Sequence, residues 1–175
     1  MSDMHAGFLV PMVMIGFMVF AFVLMFGISY TAKVKRRRQL EEADRVYSAQ
    51  YEAGNFIDAA RDTLAVLNSF KPRTLTNLER ADMYIRIARA LAQQGSHDAV
   101  VVCTRIISLL LPEKTSIDGM EGEQERTTCR CEAQALESES AKSLVHGSVE
   151  GTQKRVHDLW KNNPNAANQL IEDLL

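Results

Sequence analysis

Apolar residues fill positions 8–30 without one charge or side-chain amide, and from position 40 onward they recur every three or four residues instead. The first pattern predicts a helix that is apolar on every face. A run of about 23 residues rises about 34 Å, enough to cross a hydrocarbon core of about 30 Å. Lys33, Lys35, Arg36, Arg37 and Arg38 follow almost at once. Cations are retained on the cytoplasmic side, so the pattern predicts a short non-cytosolic tail (1–7), a transmembrane helix (8–30), a basic juxtamembrane segment (31–39) and a cytosolic remainder (40–175). A cleaved signal peptide is the alternative. It requires cations before a shorter apolar core, whereas no Lys or Arg precedes this run. The basic segment fits two roles at once: a topology signal and a contact with anionic headgroups.

Past the cations the spacing is helical. Leu40, Ala43, Val46, Tyr47, Gln50 and Tyr51 mark one stripe, and no Gly or Pro separates it from the apolar run after Ser29. Gly54 ends that helix, Asn55 is placed to cap the next, and Phe56, Ala60, Leu64 and Leu67 form its apolar face up to Pro72. Thr76 and Glu79 have capping-box spacing. The third helix runs to about Gln94, and the fourth spans about His97 to Leu110 or Leu111. The fourth is so apolar that it must lie between neighbours. A polar loop is expected over 114–122, then helices from about Gln124, around Val156 to Trp160, and from Ala166 to Leu175, the last capped by Asn165. Nothing alternates as a strand does, so the fold class is all-α.

Gly54, Gly95 and Gly147 each separate two helices, and Pro72, Pro112 and Pro164 follow about seventeen residues later. Hairpins are thus expected at about 40–72, 76–112 and 124–164, with a capping helix at 166–175. One hairpin cannot bury its apolar face alone, so neighbours stack. The first unit, with Tyr51, Gly54, Phe56 and Ala59, resembles the tetratricopeptide (TPR) repeat family. The second matches through Tyr84, Ile87, Ala88 and Leu91, with a turn one residue short; the third keeps Gly147, Trp160 and Pro164. The layout of one N-terminal anchor, a basic collar and a TPR-like domain is similar to mitochondrial outer-membrane import receptors and to bacterial membrane-anchored TPR adaptors. A generic helical bundle is the alternative architecture.

The resemblance implies a concave, peptide-binding face built from the first helix of each hairpin. Here that face would hold Asp44, Arg45, Ser48, Tyr51, Asp82, Ile85, Arg86, Arg89 and Gln93. Arg45, Arg86 and Arg89 would then meet an acidic peptide or a C-terminal carboxylate through forked hydrogen bonds. The bland reading is a solvated charged face, with Glu79 and Asp82 as partners of the arginines. The family's carboxylate clamp for chaperone tails requires Lys and Asn where this chain has Asp44 and Ser48, which speaks against that ligand.

About 140 residues after the apolar run suffice for one domain. The net charge of −2 gives no polyanion-binding character, so nucleic acid is not expected. Three cysteines, Cys103, Cys129 and Cys131, read as reduced thiols on the cytosolic side. Cys129 and Cys131 invite a metal reading with His146 or His157. However, a Cys-x-Cys pair on a helix points its thiols about 200° apart. Cys103 and Cys129 therefore read as core, Cys131 as surface, and His97 as a packing residue in its turn. No nucleophile–base arrangement or phosphate loop stands out; no enzyme, metal, cofactor or small-molecule substrate is expected. The sequence points to a membrane-anchored adaptor that binds a partner protein through its helical groove. The alternative is a structural subunit held in a membrane complex mainly by its apolar helix.

Overall fold

The structure, a computed structural model, describes residues 6–71, 74–112, 122–144 and 148–175; within these, side chains at 6–13, 15, 16, 19, 28, 148, 162, 164 and 165 are not described. Pro72, most of the expected loop at 114–122, His146 and Gly147 lie outside the described residues, as does the first part of the expected tail. Seven helices follow in order: α1 (Ala6–Glu52), α2 (Phe56–Ser69), α3 (Asn77–Gln94), α4 (His97–Leu110), α5 (Glu123–Ser143), α6 (Ser148–Asn162) and α7 (Pro164–Leu174). Among the described residues there is no strand, and the fold is all-α.

The chain divides into two compact units, Met1–Glu42 and Ala43–Leu175. In the first, the described side chains from Met14 to Tyr30 are largely exposed, and the rings of Phe22 and Phe26, one turn apart, lie 4.6 Å from each other. Among the described residues no helix is long and apolar enough to cross a membrane. Ten of the 23 positions in the expected span, 8–13, 15, 16, 19 and 28, are among those whose side chains are not described.

The second unit owes its geometry to its turns and to α4. After α1, Gly54 adopts φ +78°, and after α3, Gly95 adopts φ +81°. The hydrogen bonds at the two turns are the same. Asn55 N–H donates to Gln50 O and Gly54 N–H to Tyr51 O; Ser96 N–H donates to Leu91 O and Gly95 N–H to Ala92 O. Each is a Schellman motif, with glycine in the left-handed position that a Cβ disfavours. At the start of α3 the Thr76 side chain accepts from Glu79 N–H at 3.1 Å, and Thr76 N–H donates to the Glu79 carboxylate at 2.7 Å. The expected Asn55 cap does not form: its ψ of 61° is outside the extended region, and no side-chain capping bond is present. An N-cap side chain reaches the helix amides from extended backbone, which the tight Schellman turn denies it.

Val100, Val101, Val102, Ile106 and Ile107 of α4 are all but fully buried. The helix packs on α3, α5, α6 and α7, which bury its apolar side chains apart from the half-buried Leu109. Each such side chain removed from water contributes about 1.5–3 kcal/mol. The third hairpin differs from expectation. Among the described residues, α6 packs chiefly on α4 and α7 rather than side by side with α5. The buried residues of α5 are only Cys129, Ala133 and Ser140, too little apolar surface to hold a second helix, whereas α4 offers a valine- and isoleucine-rich flank. The last helix begins at Pro164, two residues before the expected start. Proline suits the first helical turn, where its missing N–H would have no partner.

Candidate functional site

The five cations of the basic segment occupy consecutive turns of α1. Lys33, Lys35, Arg37 and Arg38 are exposed and Arg36 is half-buried. At 100° per residue they surround the helix instead of forming one face. Arg37 Nε donates to Glu41 at 2.8 Å, an exposed pair one turn apart.

The face expected to bind a partner combines the end of α1 with α3 and α5. Arg86 is the centre of a charged cluster. It bonds Asp44 from α1 through Nη1, and it reaches Asp82 through Nη2 at 2.9 Å and Nε at 3.1 Å. Its guanidinium lies 5.9 Å from the centroid of the Tyr47 ring. Arg89, one turn on, donates through Nε to Glu132 of α5. That hydrogen bond is the main reason its pKa rises further above the ordinary guanidinium value. Tyr47 is buried beneath the cluster, and burial, then the neighbouring Tyr51, pushes its phenol up to about 12. Tyr51 continues an aromatic row, 5.5 Å from Tyr47 and 5.1 Å from Phe56.

Of the residues assigned to this face from sequence, Arg45, Ser48 and Gln93 are exposed and Tyr51 is half-buried in the aromatic row. Ile85 is only 3 % exposed and belongs to the core. Arg86 and Arg89 face carboxylates of their own chain, so an incoming acidic group would have to compete with Asp44, Asp82 and Glu132. Asp82, one turn from Arg86, is legible in the sequence as a partner, whereas Asp44 and Glu132 are not, since they lie 42 and 43 positions from the arginines they bind. Tyr47 reads in the sequence as one member of an apolar stripe; its place under Arg86 depends on the packing of α3 against the end of α1.

A groove of about 770 Å³ opens between α3 and α5. Leu78, Glu79, Asp82 and Ile85 line it from α3, and Glu125, Thr128, Cys129 and Glu132 from α5. The Cys129 thiol is pushed up to about 11, first by burial and then by Asp82 and Glu132, with Arg89 opposing. Cys131 points away and is exposed, while Cys103 is fully buried in α4, where desolvation raises its pKa steeply. Among the described residues no group of three or more His, Cys, Asp or Glu side chains could hold a metal ion. His97 and His157 are half-buried, and the Nδ1 atom of each is buried without a hydrogen-bond partner among the described residues.

No protein-family model, no curated protein and no solved structure matches this chain.

Proposed function

We propose that the chain is a membrane-anchored adaptor: the apolar part of α1 is embedded in a bilayer, and the TPR-like assembly of α2 to α7 presents a groove to a partner protein on the cytosolic side. One observation carries this reading. The described large side chains from Met14 to Tyr30 are 49 to 74 % exposed, on every face of one helix. Each would gain about 1.5–3 kcal/mol on leaving water, a cost that an isolated helix in solution cannot offset. The complete run at 8–30 is uncharged, and Lys33 to Arg38 supply the cations that orient such a span and meet anionic headgroups. The groove between α3 and α5, with the charged cluster beside it, offers the partner surface.

Fractionation with carbonate extraction, joined to proximity labelling from a C-terminal fusion in the native cell, tests the reading. The adaptor predicts that the chain stays with membranes, that labelling is cytosolic, and that a discrete set of neighbours recurs. Extraction by carbonate, or labelling confined to the opposite compartment, would sink it. Replacing positions 8–30 with an unrelated apolar helix separates the adaptor from a structural subunit held through α1. The adaptor keeps its neighbours, and the subunit loses them.

A further inference from the structure

We propose that the groove between α3 and α5 receives a cationic, amphipathic segment of a partner protein; this names the partner chemistry of the adaptor reading and rests on it. The groove has two kinds of surface. Leu78, Ile85 and Cys129 supply an apolar floor, and Glu79, Asp82, Glu125 and Glu132 supply carboxylates from both walls. On α3 the residues fall at positions 78, 82 and 85, and on α5 at 125, 129 and 132, so each wall is one helix face two turns long. Glu125 and Glu132 stand about 10 Å apart along α5, the spacing at which lysines two turns apart on a helical segment recur.

The arginines nearby do not reverse the sign. Arg86 engages Oδ2 of Asp82, and Arg89 engages Oε1 of Glu132, so each carboxylate keeps a second oxygen for an incoming donor. The first turns of α3 and α5 open on the groove, each adding about half a positive charge. Against them and the two arginines stand Asp44, Glu79, Asp82, Glu125 and Glu132, and the balance is negative. At the floor, burial first and then Asp82 and Glu132 raise the Cys129 thiol, with Arg89 opposing. An acidic peptide, which the arginine positions suggest when read from sequence alone, would enter against this field. A segment with leucines on one face and lysines on its flanks fills the floor and meets both walls.

The test uses the full chain in nanodiscs of zwitterionic phosphatidylcholine, with binding to chain-free discs subtracted. The probe is a fluorescein-labelled helical peptide of alanine and lysine with two leucines one turn apart; its counterpart carries glutamate in place of lysine. Fluorescence anisotropy should show saturable binding of the lysine probe, weakened at least tenfold between 50 and 300 mM salt, and no binding of the glutamate probe. Glu125→Lys should weaken the lysine probe about five- to tenfold and Glu125→Gln less. Glu123→Lys, on the same turn but outside the groove lining, should leave it within twofold. Equal binding of both probes, or equal effects of Glu123→Lys and Glu125→Lys, overturns the proposal. So does self-association of the chain that Glu125→Lys abolishes, which would give the groove to a second copy. Absence of probe binding, with recurrent cytosolic neighbours in the labelling experiment, rejects the cationic partner and leaves the adaptor standing.

Discussion

Asn168 of α7 donates through Nδ2 to Oδ1 of Asn68 of α2 at 2.6 Å, and its own Oδ1 accepts from the Tyr84 hydroxyl of α3. Asn68 passes the chain on, donating to Glu172 at 2.8 Å. The consecutive helices α2 and α3 are tied to the remote α7 by one row of polar groups at an otherwise apolar junction. Tyr84 is fully buried and Asn168 nearly so, so neither can fall back on water.

The row makes α7 sensitive to a single substitution. Asn168→Leu strands the buried Tyr84 hydroxyl, while the exposed Asn68 can turn to water, and should cost about 1–3 kcal/mol. Tyr84→Phe removes one donor and keeps the ring, and should cost about 1–2 kcal/mol. Urea unfolding followed by far-UV circular dichroism measures both. The double variant should cost less than the two costs added together, because the two residues share one bond. Additive costs would mean that the hydrogen bond contributes nothing.

Alkaline pH should loosen the same unit. Burial raises the phenols of Tyr84 and Tyr47 above their ordinary value of 10, Tyr47 to about 12, and the Cys129 thiol from 9.0 to about 11. In each case the folded chain holds its proton where the unfolded chain has released it. The stabilisation is therefore complete below pH 9 and declines as pH rises from 9 through 12. Unfolding midpoints should fall steadily over that range, and Tyr47→Phe should flatten the decline above pH 10. A midpoint constant from pH 8.5 to 11 would contradict the sign.

The thiols give a direct chemical readout of the α5 face. Cys131 is exposed, and Cys129 is buried, its proton retained first through burial and then through the nearby charges of Asp82 and Glu132. Thiolate is the reactive form. Iodoacetamide at pH 8 should alkylate Cys131 within minutes and leave Cys129 and Cys103 intact until the chain is unfolded, as intact mass and peptide mapping would show. Simultaneous alkylation of Cys129 and Cys131 would mean that the α3–α5 face opens readily.

The turn glycines separate backbone strain from packing. A Cβ built on Gly54 or Gly95 meets nothing within 4 Å, yet both have φ near +80°. Alanine at either position should cost about 1 kcal/mol through the left-handed conformation alone. Asparagine, which tolerates that region, should recover part of it. Thermal midpoints of the four variants decide this, and equal losses for alanine and asparagine would point to some other cause.

What the sequence disclosed follows from the range of the forces involved. Gly54, Gly95 and the Thr76–Glu79 box act within five residues, and their local patterns carry the geometry complete. The continuous apolar content of α4 likewise announces a central helix. The pairing of Arg86 with Asp44 and the Asn168 row depend on which helices become neighbours, and helical periodicity does not encode that. The same holds for α6. Its own stripe is plain, but its partner was decided by the poverty of apolar surface on α5. At the candidate site the consequence is a change of sign: arginines at helical spacing suggest a cationic face until the carboxylates that meet them are placed.

That change of sign can be tested at Arg89 and Glu132 without any ligand. Arg89 is about half exposed and Glu132 is 29 % exposed, so screening keeps the pair modest, at about 1 kcal/mol. Arg89→Glu sets two carboxylates together beside Asp82 and should destabilise the chain by more than the pair is worth, about 1–2 kcal/mol. Glu132→Arg is gentler, since Asp82 remains near to balance the added charge. The swap, Arg89→Glu with Glu132→Arg, restores opposite charges and should recover at least half of the summed loss in unfolding experiments at low salt. At about 1 M salt the recovery should shrink, because the Debye length falls to about 3 Å. A swap no more stable than the sum of its parts would mean that Arg89 does not hold Glu132 and remains open to an acidic partner. In that event a phosphopeptide or C-terminal carboxylate, and not a cationic segment, becomes the probe to try first at this face.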